Sequence, residues 1–266
     1  MELDDLTITT PDGRTRVDLV EAAAAAQVRH TIVGASTCTV VIPTVGTELL
    51  TSVPSVGAQS TATVAGREHR RVAVHHIADQ LRLIFEDVVI AALRQQRHPF
   101  MFATALPVGD VVNRFATEAG VLADIDPALA AVYVEGVGRS RLEETDSWRE
   151  ISTVISRLGG RVFSNGSRLI AATDATLLAR DPRATITGDS EPLKSGIDFS
   201  IDVAQPQERA SFKVDTAAWT ADAGDVVEIT GTGPADGRWL VSQWTRWLPI
   251  TGSSQVRLTR PLTIGA

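Results

Sequence analysis

Residues 238–247 read RWLVSQWTRW, and this stretch decides the class of fold that the sequence predicts. Successive side chains of a strand point to opposite faces, so Trp239 and Trp247 are expected on one face and Trp244 on the other. Two apolar faces suit a strand covered on both sides, as in a barrel wall that packs against a partner subunit. Such large side chains mostly pack in cores and interfaces. The candidate packing and interface residues are therefore Trp219, Trp239, Trp244 and Trp247.

Further strands are expected on both sides of this stretch. Turn clusters such as GTGPADG at residues 231–237 separate the strands of the last third. The first third is rich in β-branched residues, and TIVGASTCTVVI at residues 31–42 predicts one strand that stops at Pro43. The remaining predicted strands lie at residues 61–64, 71–77, 81–85, 197–203, 209–214, 225–229 and 255–259.

Residues 21–27 are ambiguous. Their five alanines favour a helix by propensity, whereas the neighbouring segments resemble strands. We expect a strand here.

Helical periodicity appears only in the middle of the chain. Apolar residues at helical spacing predict helices at residues 88–93, 108–119 and 147–158. Ser147 and Glu150 have the spacing of a capping box at the start of the third helix. The Asn165-Gly166 pair between two short apolar runs then predicts a hairpin with a tight turn.

The order of elements is therefore β-rich, then a small α/β insert, then β-rich. This order predicts a mainly β protein with three parts. We place their boundaries at residues 1–97, 98–186 and 187–266.

Charge is spread evenly along the chain. The 266 residues carry a formal net charge of −7, and the three parts contribute −2, −2 and −3. The sequence contains no basic block or tail, which argues against a dedicated nucleic-acid-binding protein. The N-terminus carries no signal-peptide pattern, and no apolar run is long enough to span a bilayer.

The residue types that usually carry chemistry do not form a catalytic or metal-binding motif. Cys38 lies mid-strand and is expected to be buried and structural. The histidines lack the spacing of a zinc motif, and they are expected to be solvated or hydrogen-bonded on strands. No phosphate-binding glycine loop is present. We therefore predict no catalytic residue, metal or cofactor. The five histidines are His30, His69, His75, His76 and His98.

Two acidic groups, Glu86-Asp87 and Glu143-Glu144 with Asp146, precede predicted helices. Acids at helix N-termini satisfy free backbone N–H groups, so we assign both groups to capping. Paired carboxylates can also hydrolyse glycosides, which leaves a cell-wall hydrolase using Glu143 or Glu144 as an alternative. A carbohydrate-binding protein using Trp219 or the tryptophans near residue 244 is a second alternative.

Eight segments stand out together by their order and spacing. They are residues 31–42, ELL at 48–50, QLRLIFED at 80–87, AALR at 91–94, DSWRE at 146–150, LGGRVF at 158–163, GPADGRWLVS at 233–242 and VRLTRP at 256–261. In this order they resemble tail-hub proteins of long-tailed bacteriophages, especially those that infect actinobacteria. The chain departs from many of these relatives at Pro43-Thr44-Val45, where they have an Asp-Pro turn.

The resemblance implies two β-barrel tube-like domains that flank a small α/β domain. Such hubs are related to contractile-tail baseplate hubs and late control D proteins, and they form homotrimers. A trimer would adapt the six-fold tail tube to a three-fold tip and form part of the DNA ejection channel. The implied partners are the distal tail protein, the tail tube, the tape measure protein and tip fibre or spike proteins. DNA would pass without specific binding, in a virion tail tip made in the host cytoplasm.

Overall fold

The computed structural model describes residues 6–43, 59–64, 66–97, 105–134, 146–190, 192–202, 204, 206–248 and 252–262. Strands dominate this part of the chain, which confirms the mainly β class. The helices are α1 (Val17–Ala22), α2 (Val88–Gln95), α3 (Val108–Glu118), α4 (Pro127–Ala130), α5 (Ser147–Arg157) and α6 (Asp174–Leu178).

The strands of the first part are β1 (Leu6–Thr9), β2 (Ala25–Thr31), β3 (Thr37–Pro43), β4 (Thr61–Val64), β5 (Arg67–Ile77) and β6 (Gln80–Asp87). The middle part contains β7 (Leu106–Pro107), β8 (Leu122–Ile125), β9 (Tyr133–Val134), β10 (Gly160–Ser164) and β11 (Arg168–Thr173). The last strands are β12 (Ala184–Thr187), β13 (Asp198–Asp202), β14 (Gln207–Asp215), β15 (Val226–Thr230), β16 (Gly237–Leu248) and β17 (Ser253–Pro261).

Twelve of the described strands form one sheet, which contains strands from the first and last parts of the chain. Its order is β1-β4-β5-β6-β3-β2-β16-β17-β14-β13, and β15 and β12 extend from β16. The described strands do not close into a barrel. The middle part forms a three-stranded sheet, β10-β11-β8, and a two-stranded sheet, β7-β9.

Strand β16 joins the two halves of the large sheet. Residues 237–240 of β16 pair with β15, and residues 243–248 pair with β2. On its other edge, β16 pairs with β17. The first and last parts of the chain are therefore hydrogen-bonded into one sheet by the β2–β16 pairing.

A β-bulge in β16 changes which tryptophans share a face. The register shifts between Val241 and Gln243, which inserts Ser242 as an extra residue and resets the alternation of side chains. Trp239 and Trp244 therefore both face the core of the last part, and Trp247 lies on the opposite face. The prediction that Trp239 and Trp247 share one face was wrong for this reason.

Residues 31–42 form a turn and a strand rather than one strand. Strand β2 ends at Thr31 and β3 begins at Thr37. Gly34 has a φ of 88°, a left-handed conformation that favours glycine. Ser36 holds the turn closed, because its Oγ accepts a hydrogen bond of 3.1 Å from the Thr31 backbone N–H. The β-branched content indicated the strand residues correctly but did not reveal this reversal.

Residues 21–27, the segment with five alanines, contain the end of a helix and the start of a strand. Helix α1 ends at Ala22, and β2 begins at Ala25. Leu19 of this helix is fully buried in the core of the first part. The strand expectation was therefore right for residues 25–27 and wrong for residues 21–22.

Helix α5 confirms the predicted helix, but its cap lies one residue earlier than predicted. Asp146 Oδ1 accepts a hydrogen bond of 2.7 Å from the Arg149 backbone N–H, so Asp146 rather than Ser147 is the N-cap. A carboxylate at this position also favours the positive end of the helix dipole.

Three hydrophobic cores follow one another in the described part of the chain, and a smaller cluster joins them. The first core lies under β1 to β6, the second between the helices and β10-β11, and the third under β12 to β17. The smaller cluster brings Ile32, Phe163 and Leu240, one residue from each part, into a shared apolar contact. Helix α2 packs into the second core although it precedes residue 98. The exact boundaries between the three parts stay a prediction.

None of the described helices is both long and apolar enough to cross a membrane.

Cys38 is fully buried, and burial raises the pKa of its thiol to about 12. Because the thiolate is the reactive form, only about one thiol in 10⁴ is ionised at pH 8. We expect no reaction of the native chain with a disulfide reagent such as DTNB over minutes. After unfolding in guanidinium chloride we expect one equivalent of thiol per chain. Release of a full equivalent before unfolding would contradict the buried position of Cys38.

Candidate functional site

A group of polar side chains, most of them buried, lies where the three parts of the chain meet. Arg67, at the start of β5, is 7% exposed. Its Nη1 donates a hydrogen bond of 2.8 Å to Asp222 Oδ2, and its Nη2 donates one of 2.8 Å to the Ser164 carbonyl oxygen. The Asp87 carboxylate lies 3.7 Å from the same Nη2. A single guanidinium thus contacts β6, the hairpin of the middle part and a loop of the last part.

His30 and His69 complete this group, which we call the polar joint (His30, Arg67, His69, Asp87 and Asp222). His30 Nδ1 lies 2.7 Å from Asp222 Oδ1. The two imidazole rings stack with their centroids 5.9 Å apart, and the His30 ring lies 5.0 Å from the Trp244 ring. The joint therefore covers the β2–β16 pairing, in which His30 and Trp244 are directly opposed.

Two glycines allow the backbone to approach the joint closely. A Cβ on Gly166 would lie 2.6 Å from Arg67 Nε, and one on Gly224 would lie 2.4 Å from Phe163 Cε2. Both residues also have positive φ, of 94° and 93°. The Asn165-Gly166 turn that the sequence predicts is thus also a packing surface for Arg67. The loop that carries Asp222 is held on β16, because Gly224 N–H donates to the Val241 carbonyl oxygen at 2.9 Å.

Burial and mutual charge set the ionisation of the joint. Burial lowers the pKa of His30 and lowers that of His69 to about 4. Burial also raises the pKa of Asp222, but the hydrogen bond from His30 and the charges of His30 and Arg67 outweigh it and hold this pKa below its usual value. His69 is fully buried, and neither ring nitrogen makes a hydrogen bond in the described part of the chain. At neutral pH the joint therefore holds a neutral His69 beside a charged Arg67–Asp222 pair.

The His30–Asp222 pair has the geometry of an oriented base but lacks a nucleophile. His30 Nε2 is buried and has no hydrogen-bond partner among the described residues. Nucleophilic catalysis needs a hydroxyl or thiol within hydrogen-bond reach of such a base. No group of three or more described histidine, cysteine or carboxylate residues could hold a metal ion. The arrangement supports a structural joint.

The first predicted capping group is confirmed in part. Asp87 Oδ1 accepts a hydrogen bond of 3.0 Å from the Val89 backbone N–H and caps α2. Glu86 instead lies 3.3 Å from Arg94 Nη1. Burial raises the pKa of Glu86, and the Arg94 charge opposes this shift.

The second capping group is described only at Asp146, which caps α5 as stated above. Glu143 and Glu144 lie outside the described residues, as do His98 and residues 48–50.

Three of the four candidate tryptophans lie in the third core. Trp239 is fully buried, its Nε1 donates to the Ala235 carbonyl oxygen at 2.7 Å, and the Arg260 guanidinium lies 4.1 Å from its ring centroid. Trp219 and Trp244 are at most 8% exposed. Trp247 is 38% exposed, so it is the candidate that solvent or a partner can reach.

Each β part of the large sheet has an exposed strand edge in the described part of the chain. Among the described residues, β13 pairs only with β14, and residues 73–77 of β5 pair only with β6. Apolar side chains are exposed at both places: Val74 is 37% and Ile201 is 51% exposed. Unpaired strand edges are templates for pairing with another chain.

Sequence reasoning found Asp87 and Asp146 as helix caps but missed the polar joint. Arg67 and Asp222 are 155 residues apart in the chain, and His30 and Asp222 are 192 apart. No local spacing signals such a contact, and the buried state of His30 and His69 became apparent only from the fold.

The fold of the chain matches solved structures of tail proteins over nearly its whole length. The 43 kDa tail protein of prophage MuSo2 from Shewanella oneidensis gives a TM-score of 0.67 at 6% identity, with 97% of each chain covered. The tail protein from Neisseria meningitidis MC58 gives 0.64 at 10% identity, with 96% of each chain covered. A type VI secretion system component of E. coli, which is structurally similar to bacteriophage T4 tail proteins, gives 0.62 at 13% identity, covering 91% of this chain and 74% of that chain.

No protein-family model matches the sequence, and no curated protein matches it. The likeness to the solved structures nevertheless shows that this chain has the fold of phage tail proteins.

We expect the joint to make stability pH-dependent through His69. Unfolded histidine has a pKa of about 6.5, and His69 in the fold has one of about 4. The unfolded state thus binds more protons between these values, so the free energy of unfolding falls as pH drops below about 6.5. At about 1.36 kcal/mol per pH unit, the loss from His69 reaches about 2 kcal/mol at pH 5.

Urea unfolding at pH 7 and at pH 5 measures this dependence. His69→Leu should lose less stability on acidification than the unmodified chain, while His30 keeps part of the dependence. His76→Leu, an exposed position on the same strand, should behave like the unmodified chain. An equal loss for His69→Leu and the unmodified chain would contradict the assignment.

Removing the central guanidinium should destabilise the fold. Arg67→Met leaves Asp87 without its cation in a buried site and leaves Asp222 with the hydrogen bonds of His30 and of the Ala223 backbone N–H. Breaking a buried ion pair costs about 3–5 kcal/mol, and because Asp222 is partly exposed we expect about 3 kcal/mol in urea unfolding. Arg82→Met, at an exposed arginine of β6, is the matched control and should cost less than about 0.5 kcal/mol. Equal stability of the two variants would show that the joint contributes nothing.

Proposed function

We propose that this chain is a structural protein of a bacteriophage tail or of a related injection device, and that it acts as the tail-tip hub. Three copies form a ring that adapts the six-fold tail tube to a three-fold tip. The ring forms part of the channel through which DNA leaves. The observation that carries this proposal is the likeness of fold to tail proteins over nearly the full length of both chains.

The joined sheet supports the adaptor role. Each chain carries one β part on each side of the β2–β16 pairing, and each part has its own core. Three copies of such a chain supply six β parts, so a three-fold ring can present a six-fold surface to the tube. We propose that each β part completes a barrel-like tube domain on assembly. The polar joint supports this role because it fixes the angle between the two β parts of one chain.

The strand edges support closure into a ring. β13 is the last strand of the order, and the free part of β5 lies in the other half of the sheet, beyond the residues that pair with β4. Contacts between two different patches of a chain generate rings when the rotation closes. We propose that β13 of one copy pairs with residues 73–77 of β5 in the next copy, with Ile201 and Val74 at this contact.

The proposed partners and location follow from the hub role. The ring would contact the distal tail protein, the tail tube, the tape measure protein and fibre or spike proteins in the virion tail tip, after synthesis in the host cytoplasm. We propose no catalytic role, because the His30–Asp222 pair faces no hydroxyl or thiol among the described residues. A saccharide-binding role has only Trp247 left as an accessible tryptophan, and no observation favours it.

We expect a homotrimer of about 85 kDa, three times the chain mass of 28.4 kDa. Native mass spectrometry of the purified chain and the copy number per isolated tail measure this.

Ile201→Lys and Val74→Lys should each weaken the trimer at least tenfold, because a buried lysine at an edge opposes strand pairing. Leu122→Lys, a position 62% exposed in the middle part, is the matched control and should leave the trimer intact. Six or twelve copies per tail would contradict the trimer.

A further inference from the structure

The large sheet has a second face that faces away from the cores. Residues that are directly opposed in a register share one face. Thr37, Arg29, Thr245, Gln255 and Lys213 form one such row across β3, β2, β16, β17 and β14. The neighbouring row across β2, β16, β17, β14 and β13 contains Thr31, Gln243, Arg257, Ser211 and Asp198. Thr31 and Thr245 are buried within these rows. We call the surface formed by the other residues of the rows and by Arg209 of β14 the open face.

The open face is basic although the chain is acidic. Arg29, Arg209, Lys213 and Arg257 are all exposed there. Arg209 is paired with Asp202 at 2.7 Å. In the described part of the chain, Arg29, Lys213 and Arg257 have no carboxylate within ion-pair distance.

The acids of this face balance only part of that charge. Asp215, at the end of β14, is paired with Lys194 at 3.0 Å. Asp198 is the remaining exposed carboxylate in the two rows. Three unpaired cations thus face one unpaired carboxylate, in a chain whose net charge is −7.

The uncharged residues of the face favour phosphate over polypeptide as the ligand. Gln243, Gln255 and Ser211 accompany the cations and can donate hydrogen bonds. Phosphate oxygens are bound by arginine and lysine together with serine, threonine and glutamine side chains. Protein interfaces instead need an apolar or aromatic centre. The two rows contain no aromatic residue, and the exposed Trp247 lies beside the Arg29 row, at the margin of the face.

The spacing of the cations suits a polyanion that extends over several strands. Neighbouring strands lie about 4.8 Å apart, so Arg29 on β2 and Lys213 on β14, three strands away, are separated by about 14 Å. A DNA duplex presents one phosphate about every 3.4 Å along each strand. Several phosphates of one duplex therefore come within reach of the face at the same time.

We infer that the open face is a sequence-independent contact surface for the phosphate backbone of double-stranded DNA. This inference rests on the proposed function in one respect, since the channel of a hub would bring DNA to this face. This contact differs from passage without any binding, because DNA in the channel would be bound weakly and in a salt-dependent way.

Fluorescence anisotropy of a labelled 30-base-pair duplex with the full chain tests this inference. With three phosphates contacted, raising the salt tenfold, from 20 to 200 mM, should weaken binding about 500-fold. The double variant Arg29→Glu/Arg257→Glu should bind at least about tenfold more weakly at 20 mM salt. Arg14→Glu/Arg168→Glu changes the net charge equally at two exposed arginines away from the face, and it should stay within about twofold of the unmodified chain.

Three results would overturn the inference. They are no binding at 20 mM salt, equal losses in the two double variants, and binding of polyglutamate as tight as binding of DNA. Native mass and thermal unfolding are measured on the same samples. If the unmodified chain forms a trimer but does not bind DNA, the open-face inference is wrong and the hub proposal stands. If it binds DNA but forms no trimer, the hub proposal is wrong and the open-face inference stands.

Discussion

The pairing of β2 with β16 is the constraint on which the rest of the structure depends. It joins residues 26–31 to residues 243–248, which lie more than 200 positions away in the chain. Contacts between such distant segments close a long loop, and their entropic cost must be met by burial on both sides. That burial is present, since Ala26 and Val28 enter the first core, and Trp244 enters the third. Without this pairing the two β parts would be separate domains on either side of the helical insert.

The polar joint gives this pairing a defined geometry. A purely apolar contact would allow the two β parts to shift relative to each other. The Arg67 guanidinium instead has two hydrogen-bond partners and one ion-pair partner, which come from three directions at defined distances. Buried ion pairs stabilise little relative to an apolar core, because desolvation offsets most of their attraction. They penalise every arrangement that leaves a charge unpaired. In the proposed ring, this penalty would matter more than total stability, because the angle between the two β parts would decide whether three copies can close.

Local patterns predicted most of the strands and helices, because each depends on the periodicity of a few neighbouring side chains. They failed where one residue changes the periodicity. Ser242 inserts a bulge that turns Trp244 towards the face of Trp239, and no local signal distinguishes this serine from any other strand residue. The joint and the open face were beyond such patterns for another reason. Arg29, Lys213 and Arg257 are isolated bases in sequence, and only the strand register places them on one face.

Native-state hydrogen exchange of the backbone amides in residues 26–31 and 243–248 tests most directly whether the two β parts form one rigid unit. If they do, the protected amides of both segments exchange only through global unfolding, with the same free energy as those of β14 and β17. A lower opening free energy confined to these two segments would show that the halves separate locally. That result would contradict a continuous sheet as the basis of this fold.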